Sequence, residues 1–234
     1  MSDNNQNIDV LILCGGQGTR FRKVRDDIPK SLAPIHGRPF LDHLLDDLVF
    51  QGFRRVILAT GYLSKQIETH VKHRREVECI ISRELHPLGT GGAIKFAEPH
   101  FSSNSLLVLN GDSRIQFSFQ KLLTLHQQKN ADLTLLLSAA TKGTEYGNVE
   151  IGPDQQVLAF HEKPRAVVSS LVNAGVYCLN VRLLAQTNCK QFYSLETDWI
   201  PLWIQTCSTF GLVINEPIYD IGTLTNYYNY PQTK

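Results

Sequence analysis

Residues Leu13–Lys30, LCGGQGTRFRKVRDDIPK, end an apolar run on Gly15, Gly16 and Gly18, then supply Thr19, Arg20 and Lys30. Glycine lets bare backbone N–H groups approach an anion closely, and two cations nearby add charge of the matching sign. That combination suits a chain of phosphates. Neither standard phosphate motif fits, however. A G-x-G-x-x-G begun at Gly16 meets Phe21 where its last glycine belongs, and Pro29 precedes Lys30 where a P-loop requires glycine.

Three further clusters have side chains suited to chemistry. In ELHPLGTGGAI (84–94), Gly89, Thr90, Gly91 and Gly92 read either as the entry to a helix or as a loop against which a flat heterocycle lies, with Glu84 accepting from it. In LVLNGDS, Asp112 follows an apolar strand and reads either as a turn residue or as a hard oxygen ligand for Mg²⁺; Asp220, in IYDIGT, is a second strand-end carboxylate of the kind that helps a metal bridge phosphates. FHEKP and NAGVYCL add Glu162, Lys163 and Asn173. A carboxylate and an amide match sugar hydroxyls and a lysine matches a sugar phosphate, although each also reads as a surface salt bridge or a turn.

Such residues need a scaffold, and the hydrophobic pattern indicates one. DVLILC, RRVILAT, VECIIS and SLLVLN are apolar strand-length runs separated by helical or loop segments, the alternation of a parallel sheet. Phe40, Leu41, Leu44, Leu45, Leu48 and Val49 fall on one helix face, with Asp42, Asp46 and Asp47 on the other and Gly52 as the stop. After about residue 131, LTLLLSAA, NVEIG, QVLAFHE and NAGVYCLN lie close together, as antiparallel or mixed pairing requires, and a helix resumes near Glu196–Gln205. The 234 residues, with no long linker or repeat, read as one α/β domain: about 1–130 carry the glycine-rich segments and about 131–234 a second wall of a cleft. Ligands of such sheets bind beyond the carboxyl ends of the strands.

Lys+Arg number 23 against Asp+Glu 22, which offers no polyanion surface and disfavours nucleic-acid binding. The polar start, MSDNNQNIDV, and the short apolar stretch after it suit neither a signal peptide nor a membrane span, so the expectation is a soluble, cytoplasmic protein. Five scattered cysteines without a C-x-x-C pair suggest neither disulfides nor a thiolate metal site; Cys14 and Cys178 read as core, and His70 and His73 as a solvated basic helix face.

Taken in order, CGGQGTR…PK, LGTGGA, NGDS, YGNVEI, FHEKP, NAGVY, SLETD and YDIGT resemble the sugar-1-phosphate nucleotidyltransferase family from about Val10 to Tyr228. The resemblance implies a Rossmann-like three-layer α/β/α fold on a mainly parallel mixed sheet. It also implies transfer of a nucleotidyl group from a nucleoside triphosphate to a sugar 1-phosphate with Mg²⁺, and leaves room for a homo-oligomer. IPKSLAPIHGRPFLDHLL, HPLGTGGAIK and YSLETDWIP resemble the branch that transfers GMP from GTP to a heptose 1-phosphate. Uridylyl transfer to an N-acetylmuramic acid or other hexose 1-phosphate and a non-catalytic sugar-nucleotide sensor remain as alternatives.

By the same resemblance, Gly15, Gly16, Gly18 and Thr19 wrap the nucleotide, Arg20 holds the outgoing pyrophosphate and Lys30 neutralises phosphate charge. Glu84, Gly89 and Thr90 face the base, and Asp112 and Asp220 ligate Mg²⁺. Gly147, Glu162, Lys163, Asn173, Gly175 and Glu196 line the sugar-phosphate site. Two stretches depart from the pattern: Phe21–Val24, which is long and basic, and LTNYYNY after YDIGT.

Overall fold

A computed structural model describes residues 8–16, 26–187 and 192–231 of the chain; Gly18, Thr19, Arg20, the Phe21–Val24 stretch and Cys189 lie outside the described residues. In chain order the elements begin with β1 (Asp9–Leu13), β2 (Pro34–Ile35), β3 (Arg38–Pro39), α1 (Phe40–Phe50), β4 (Arg55–Thr60), α2 (Ser64–Val71) and β5 (Glu78–Arg83). There follow α3 (Gly89–Phe96), β6 (Ser105–Asn110), β7 (Ser113–Arg114), α4 (Phe119–Gln128), β8 (Leu133–Ser138), β9 (Asn148–Ile151), β10 (Val157–His161) and β11 (Val172–Asn180). The last are α5 (Ile200–Thr206), β12 (Thr209–Ile214), β13 (Tyr219–Asp220) and α6 (Leu224–Tyr228). One wide-turned π-helical segment, Leu195–Trp199, leads into α5.

The main sheet runs β5-β4-β1-β6-β11-β8-β12, with the β9–β10 hairpin joined at the start of β11. Along the β5–β12 path every strand points the same way except β11, which is antiparallel to both β6 and β8. The mainly parallel mixed sheet is therefore as expected. Strands buried on both faces have to be apolar at every position rather than at alternate ones, and β1, DVLIL, shows this. Val10 and Ile12 pack with Phe40, Leu44, Leu48, Ile67 and Leu122 of α1, α2 and α4, whereas Leu11 packs with Ile94, Ile200 and Trp203 of α3 and α5. Helices cover both faces, giving three layers.

The edge of β1 is tied down by charge. Asp9 is buried, and its carboxylate pairs with Arg55 and accepts from the backbone N–H groups of Ser102 and Ser103 at 2.6 and 2.8 Å. These contacts fix the loop that delivers β6 beside β1, which sets the position of Asp112 downstream.

Two details differ from the sequence expectation. Asp42 does not face water: it is buried between α1 and α2, where it accepts from Arg74 at 3.1 Å and sits 2.8 Å from His70 Nε2. His70 is therefore an inter-helix partner and not part of a solvated face, while His73 lies past the end of α2. A helical pattern reports which residues point away from the sheet, but not what a neighbouring helix brings to meet them. Asp46 and Asp47 are likewise engaged, by Arg38 and Arg74 and by Arg114.

His126 of α4 is buried with Nδ1 2.9 Å from Thr134 Oγ1, and burial pulls its pKa down to about 4. The folded protein thus holds it neutral, whereas the unfolded chain takes up its proton near 6.5. Stability is complete above that value and falls as pH drops from about 6.5 toward 4, by roughly 3 kcal/mol from this group. Unfolding midpoints measured at pH 7 and pH 4.5 should differ less in His126→Gln than in the parent protein; an identical difference would exclude this origin.

Candidate active site

A cleft of about 720 Å³ opens over one edge of the sheet, beyond the carboxyl ends of β1, β5 and β6 and the start of the antiparallel β11. Its lining brings together Gly15, Gly16, Glu84, Gly89, Thr90 and Asp112 from the first half of the chain. From the second half it takes Gly147, Glu162, Lys163, Asn173, Gly175, Glu196 and Asp220. Segments more than a hundred residues apart thus converge where open α/β sheets bind ligands.

Lys30 does not itself line the cleft; its Nζ lies 2.5 Å from Oδ2 of Asp112, which does. Burial raises the Asp112 carboxyl, but the Lys30 charge and hydrogen bond, helped by Ser113 and the nearby Lys163, more than offset this and hold it below its ordinary value. The short β7–β13 ladder pairs Ser113 with Asp220, and Ile221 N donates to Asp112 O at 2.9 Å, so the two aspartates sit on adjoining rungs. Asp220 is fixed in turn: Gly222 N donates to Oδ1 at 2.8 Å, and Tyr146 Oη and Asn226 Nδ2 donate to Oδ2 at 2.5 and 2.8 Å. Burial first and Asp220 second push the Tyr146 hydroxyl up, keeping it a donor. Asn226 comes from LTNYYNY, so the stretch that departs from the pattern still serves the cleft.

No group of three or more His, Cys, Asp or Glu side chains able to hold a metal occurs among the described residues. Two carboxylates are nevertheless a suitable donor set for a hard cation that keeps waters and takes its remaining ligands from substrate phosphates. Asp112 and Asp220 fit that requirement.

Across the cleft, β11 carries a bulge between Asn173 and Tyr177 against β8. Bulges re-aim side chains, and this one turns Asn173–Gly175 toward the cleft. Gly175 has φ +71, in the left-handed region that favours glycine. Asn173 Nδ2 donates to Tyr177 Oη at 2.6 Å, its Oδ1 accepts from Gly175 N at 3.2 Å, and Tyr177 Oη donates to Glu196 Oε1 at 3.2 Å. Thr90 Oγ1 and Ser194 Oγ donate to the other Glu196 oxygen at 2.6 and 3.1 Å. Glu196 is therefore held by both halves of the chain.

The LGTGGA glycines are inside a helix, and its first free N–H groups are taken: Gly91 and Gly92 donate to Tyr193 O at 2.9 and 3.1 Å. Glu84 stands beside that helix with Oε2 accepting from Leu88 N at 3.2 Å, and burial raises its pKa. Its Oε1 lies over the chain at Gly15 and Gly61, 2.9 and 2.7 Å from where a Cβ would stand. Lys163 and Glu162 form a 3.0 Å ion pair on the opposite wall.

Residues 9–233 match the sequence profile of the nucleotidyl transferase family. The chain belongs to that family. It is 34% identical over 221 residues to D-glycero-alpha-D-manno-heptose 1-phosphate guanylyltransferase of Aneurinibacillus thermoaerophilus, covering 94% of this chain and 95% of that protein. It is 33% identical to the mannose-1-phosphate guanylyltransferase catalytic subunit beta of Drosophila pseudoobscura pseudoobscura over 91% of its own length but only 58% of that longer protein. The crystal structure of HddC from Yersinia pseudotuberculosis complexed with GMP-PN superposes with TM-score 0.84 at 31% identity, covering 95% of this chain and 97% of that one. A Bacillus anthracis structure described as a putative glucose-1-phosphate thymidylyltransferase shares the fold at TM-score 0.84 with 16% identity.

As a nucleotidyl transferase the chain has residues in the cleft and behind its wall that its motifs alone did not single out. Asn110 and Tyr146 sit inside quoted motifs, NGDS and YGNVEI, beside residues with more obvious chemistry. Tyr177 reads as one more apolar residue of β11. Asn226 had no signal, because its role depends on where α6 docks.

Proposed function

We propose that this protein transfers GMP from GTP to D-glycero-α-D-manno-heptose 1-phosphate, giving GDP-heptose and pyrophosphate. The observation that carries the reading is the charged centre of the cleft. Lys30 is paired to Asp112, Asp220 stands one rung away, and Lys163 is close enough to lower the Asp112 carboxyl. The choice of GTP and heptose rests on the relatives of near-equal length whose names carry that activity. Residues up to about 130 form the nucleotide-binding part in this reading, and the remainder the sugar-phosphate part.

A sugar 1-phosphate is ionised at neutral pH, so its oxygen attacks the α-phosphorus without a general base. The protein's task is positioning and charge compensation. Lys30 meets the triphosphate, Lys163 holds the attacking phosphate in line, and Arg20 takes the outgoing pyrophosphate. Asp112 and Asp220 would hold Mg²⁺, which would supply Lewis-acid neutralisation of the phosphate oxygens. Gly15 and Gly16, with Gly18 and Thr19, let the nucleotide lie close to the backbone, and Gly89 and Thr90 border the base. Glu84 accepts from guanine N1–H and N2–H₂ together, and, with no cationic partner among the described residues, it gains from these donors in exchange for water. Glu162, Asn173 and Glu196 face the sugar hydroxyls, on a wall completed by Gly147 and Gly175.

Pyrophosphate release with Mg²⁺, crossing GTP, ATP, UTP, CTP and dTTP with a set of sugar 1-phosphates, tests this directly. Release confined to GTP with the heptose is the expected result. Another productive pair replaces the substrates and keeps the mechanism, and silence with tight nucleotide binding leaves a sensor. In the same assay Glu84→Gln should lower the GTP over UTP preference by about tenfold or more, the loss of hydrogen bonds to a charged acceptor. An unchanged preference removes Glu84 as the reader of the base.

A further inference from the structure

Asp112 and Asp220 rest on a slight support. The β7–β13 ladder pairs Ser113 with Asp220 and Arg114 with Tyr219, and it stands apart from the main sheet. Two strands of two residues have little rigidity of their own. Ile115, Ile218 and Ile221 beside them are buried in the core, which holds the ladder down. Apolar burial is non-directional, however, and does not fix how a strand is rotated or how far it slides. Two carboxylates that share one cation have to be held to within about 0.5 Å.

The end of α1 supplies the missing direction. Arg114 Nε and Nη2 donate to Asp47 Oδ2 and Oδ1 at 2.6 and 2.8 Å, a two-point fork largely shielded from water. Gln51, which caps α1, takes hold of the same stretch of chain: its Nε2 donates to Phe117 O at 3.0 Å, and its Oε1 accepts from Phe119 N at 2.8 Å. Asp47 and Gln51 are four residues apart and so share a helix face. A fork between a carboxylate and a planar guanidinium fixes orientation as well as distance. Arg114 follows Asp112 by two residues and is paired with Tyr219, the neighbour of Asp220, so its orientation is passed to both aspartates. Among the described residues neither Arg114 nor Asp47 lines the cleft. The adjacent carboxylate of α1, Asp46, is engaged by Arg38 and Arg74, neither of which belongs to the ladder.

We propose that Asp47 and Arg114 are positioning residues: their fork sets the rotation and register of the β7–β13 ladder, and with it the spacing of Asp112 and Asp220 for one divalent cation. This rests on the reading of the two aspartates as the carboxylates that hold that cation.

Protein-bound Mn²⁺, measured by electron paramagnetic resonance with GTP present and no sugar phosphate, tests this without turnover. Asp47→Asn removes a charge that lies outside the cleft, and Arg114→Lys keeps the charge but cannot hold both carboxylate oxygens from one planar group. Each should weaken Mn²⁺ binding about tenfold or more, the scale on which groups that orient metal ligands act. The double variant should lose no more than the larger single loss, because both changes remove one contact. Asp47→Glu, which keeps a carboxylate, should recover part of the affinity. Asp46→Asn is the matched control: it breaks ion pairs of the same helix and should bind Mn²⁺ as the parent protein does, whatever its melting point.

Parental Mn²⁺ affinity in Asp47→Asn overturns the proposal, and Arg114→Lys gives the same answer should Asp47→Asn not fold. An equal loss in Asp46→Asn overturns it too, since loosening α1 would then be enough. A parent protein that binds no Mn²⁺ alongside GTP overturns the reading of the aspartates and this inference with it, whereas tight binding in both the parent and the Asp47 variant overturns this inference alone.

Discussion

Asp112→Asn should reduce turnover by about 10²–10³-fold, the scale on which a single preorganised electrostatic contact acts in a transition state, while the fold survives. Asparagine has the shape of aspartate and can still accept from Ser113 Oγ, whose hydroxyl lies 3.1 Å from Asp112 Oδ1. Only the charge is lost. With it goes the compensation of Lys30, whose ammonium then has a neutral amide before it in place of a carboxylate. Asp220 would be left as the remaining carboxylate for a cation, and its own oxygens already accept from Gly222, Tyr146 and Asn226. Single-turnover pyrophosphate release with Mg²⁺ measures the first effect, and circular dichroism with a melting curve checks the second. Mn²⁺ binding by electron paramagnetic resonance, in the presence of nucleotide, gives a readout apart from activity and should weaken. Near-normal turnover would take Asp112 out of the reacting centre.

What the sequence could disclose follows from the physics of each feature. The parallel half was legible because strands buried on both faces must be apolar through their middles, and VLIL, VILA and LLVL meet that condition between turn signals. The antiparallel or mixed pairing of the second half was legible from its closely spaced strands, but the place of β11 was not. NAGVYCLN states that a buried strand exists, but not that it lies antiparallel against β6 or that a bulge at Asn173–Tyr177 turns its start into the cleft. Candidate site residues with distinctive chemistry, such as Asp112, Lys163 and Asp220, stood out, and the structure gathers them around one cleft. Residues that act by holding others did not stand out. Tyr177, Tyr146 and Asn226 matter through hydrogen bonds to partners 19, 74 and 6 positions away, and spacing carries no trace of them. The glycines of LGTGGA were legible as special. Of the two readings, helix entry or loop for a heterocycle, the helix entry is what forms, and the glycines also make the contact surface between α3 and the segment that bears Glu196.

That contact surface predicts a large effect for a small change. Gly89→Ala should destabilise the protein by about 2–4 kcal/mol, combining the cost of a left-handed alanine with the loss of neighbouring hydrogen bonds, and should also damage the sugar-phosphate side of the cleft. Gly89 has φ +75, and a Cβ there would lie 2.3 Å from Tyr193 O. The obstacle is backbone, so no side-chain rotation relieves it. Either the start of α3 or the 193–196 segment must retreat. That motion pulls Tyr193 O away from Gly91 and Gly92 N, and strains the reciprocal pair in which Thr90 Oγ1 accepts from Leu195 N at 2.7 Å and donates to Glu196 at 2.6 Å. Glu196 then keeps its bond to Tyr177 but loses the one that ties it to the first half of the chain. The expected kinetic signature is a KM for the sugar phosphate that rises more than the KM for the nucleotide. Gly16→Ala is the control for stability, since a Cβ at Gly16 meets nothing within 4 Å among the described residues. A Gly89→Ala protein that melts with the parent would mean that α3 and the 193–196 segment can separate without cost, and Thr90 would then be no anchor for Glu196.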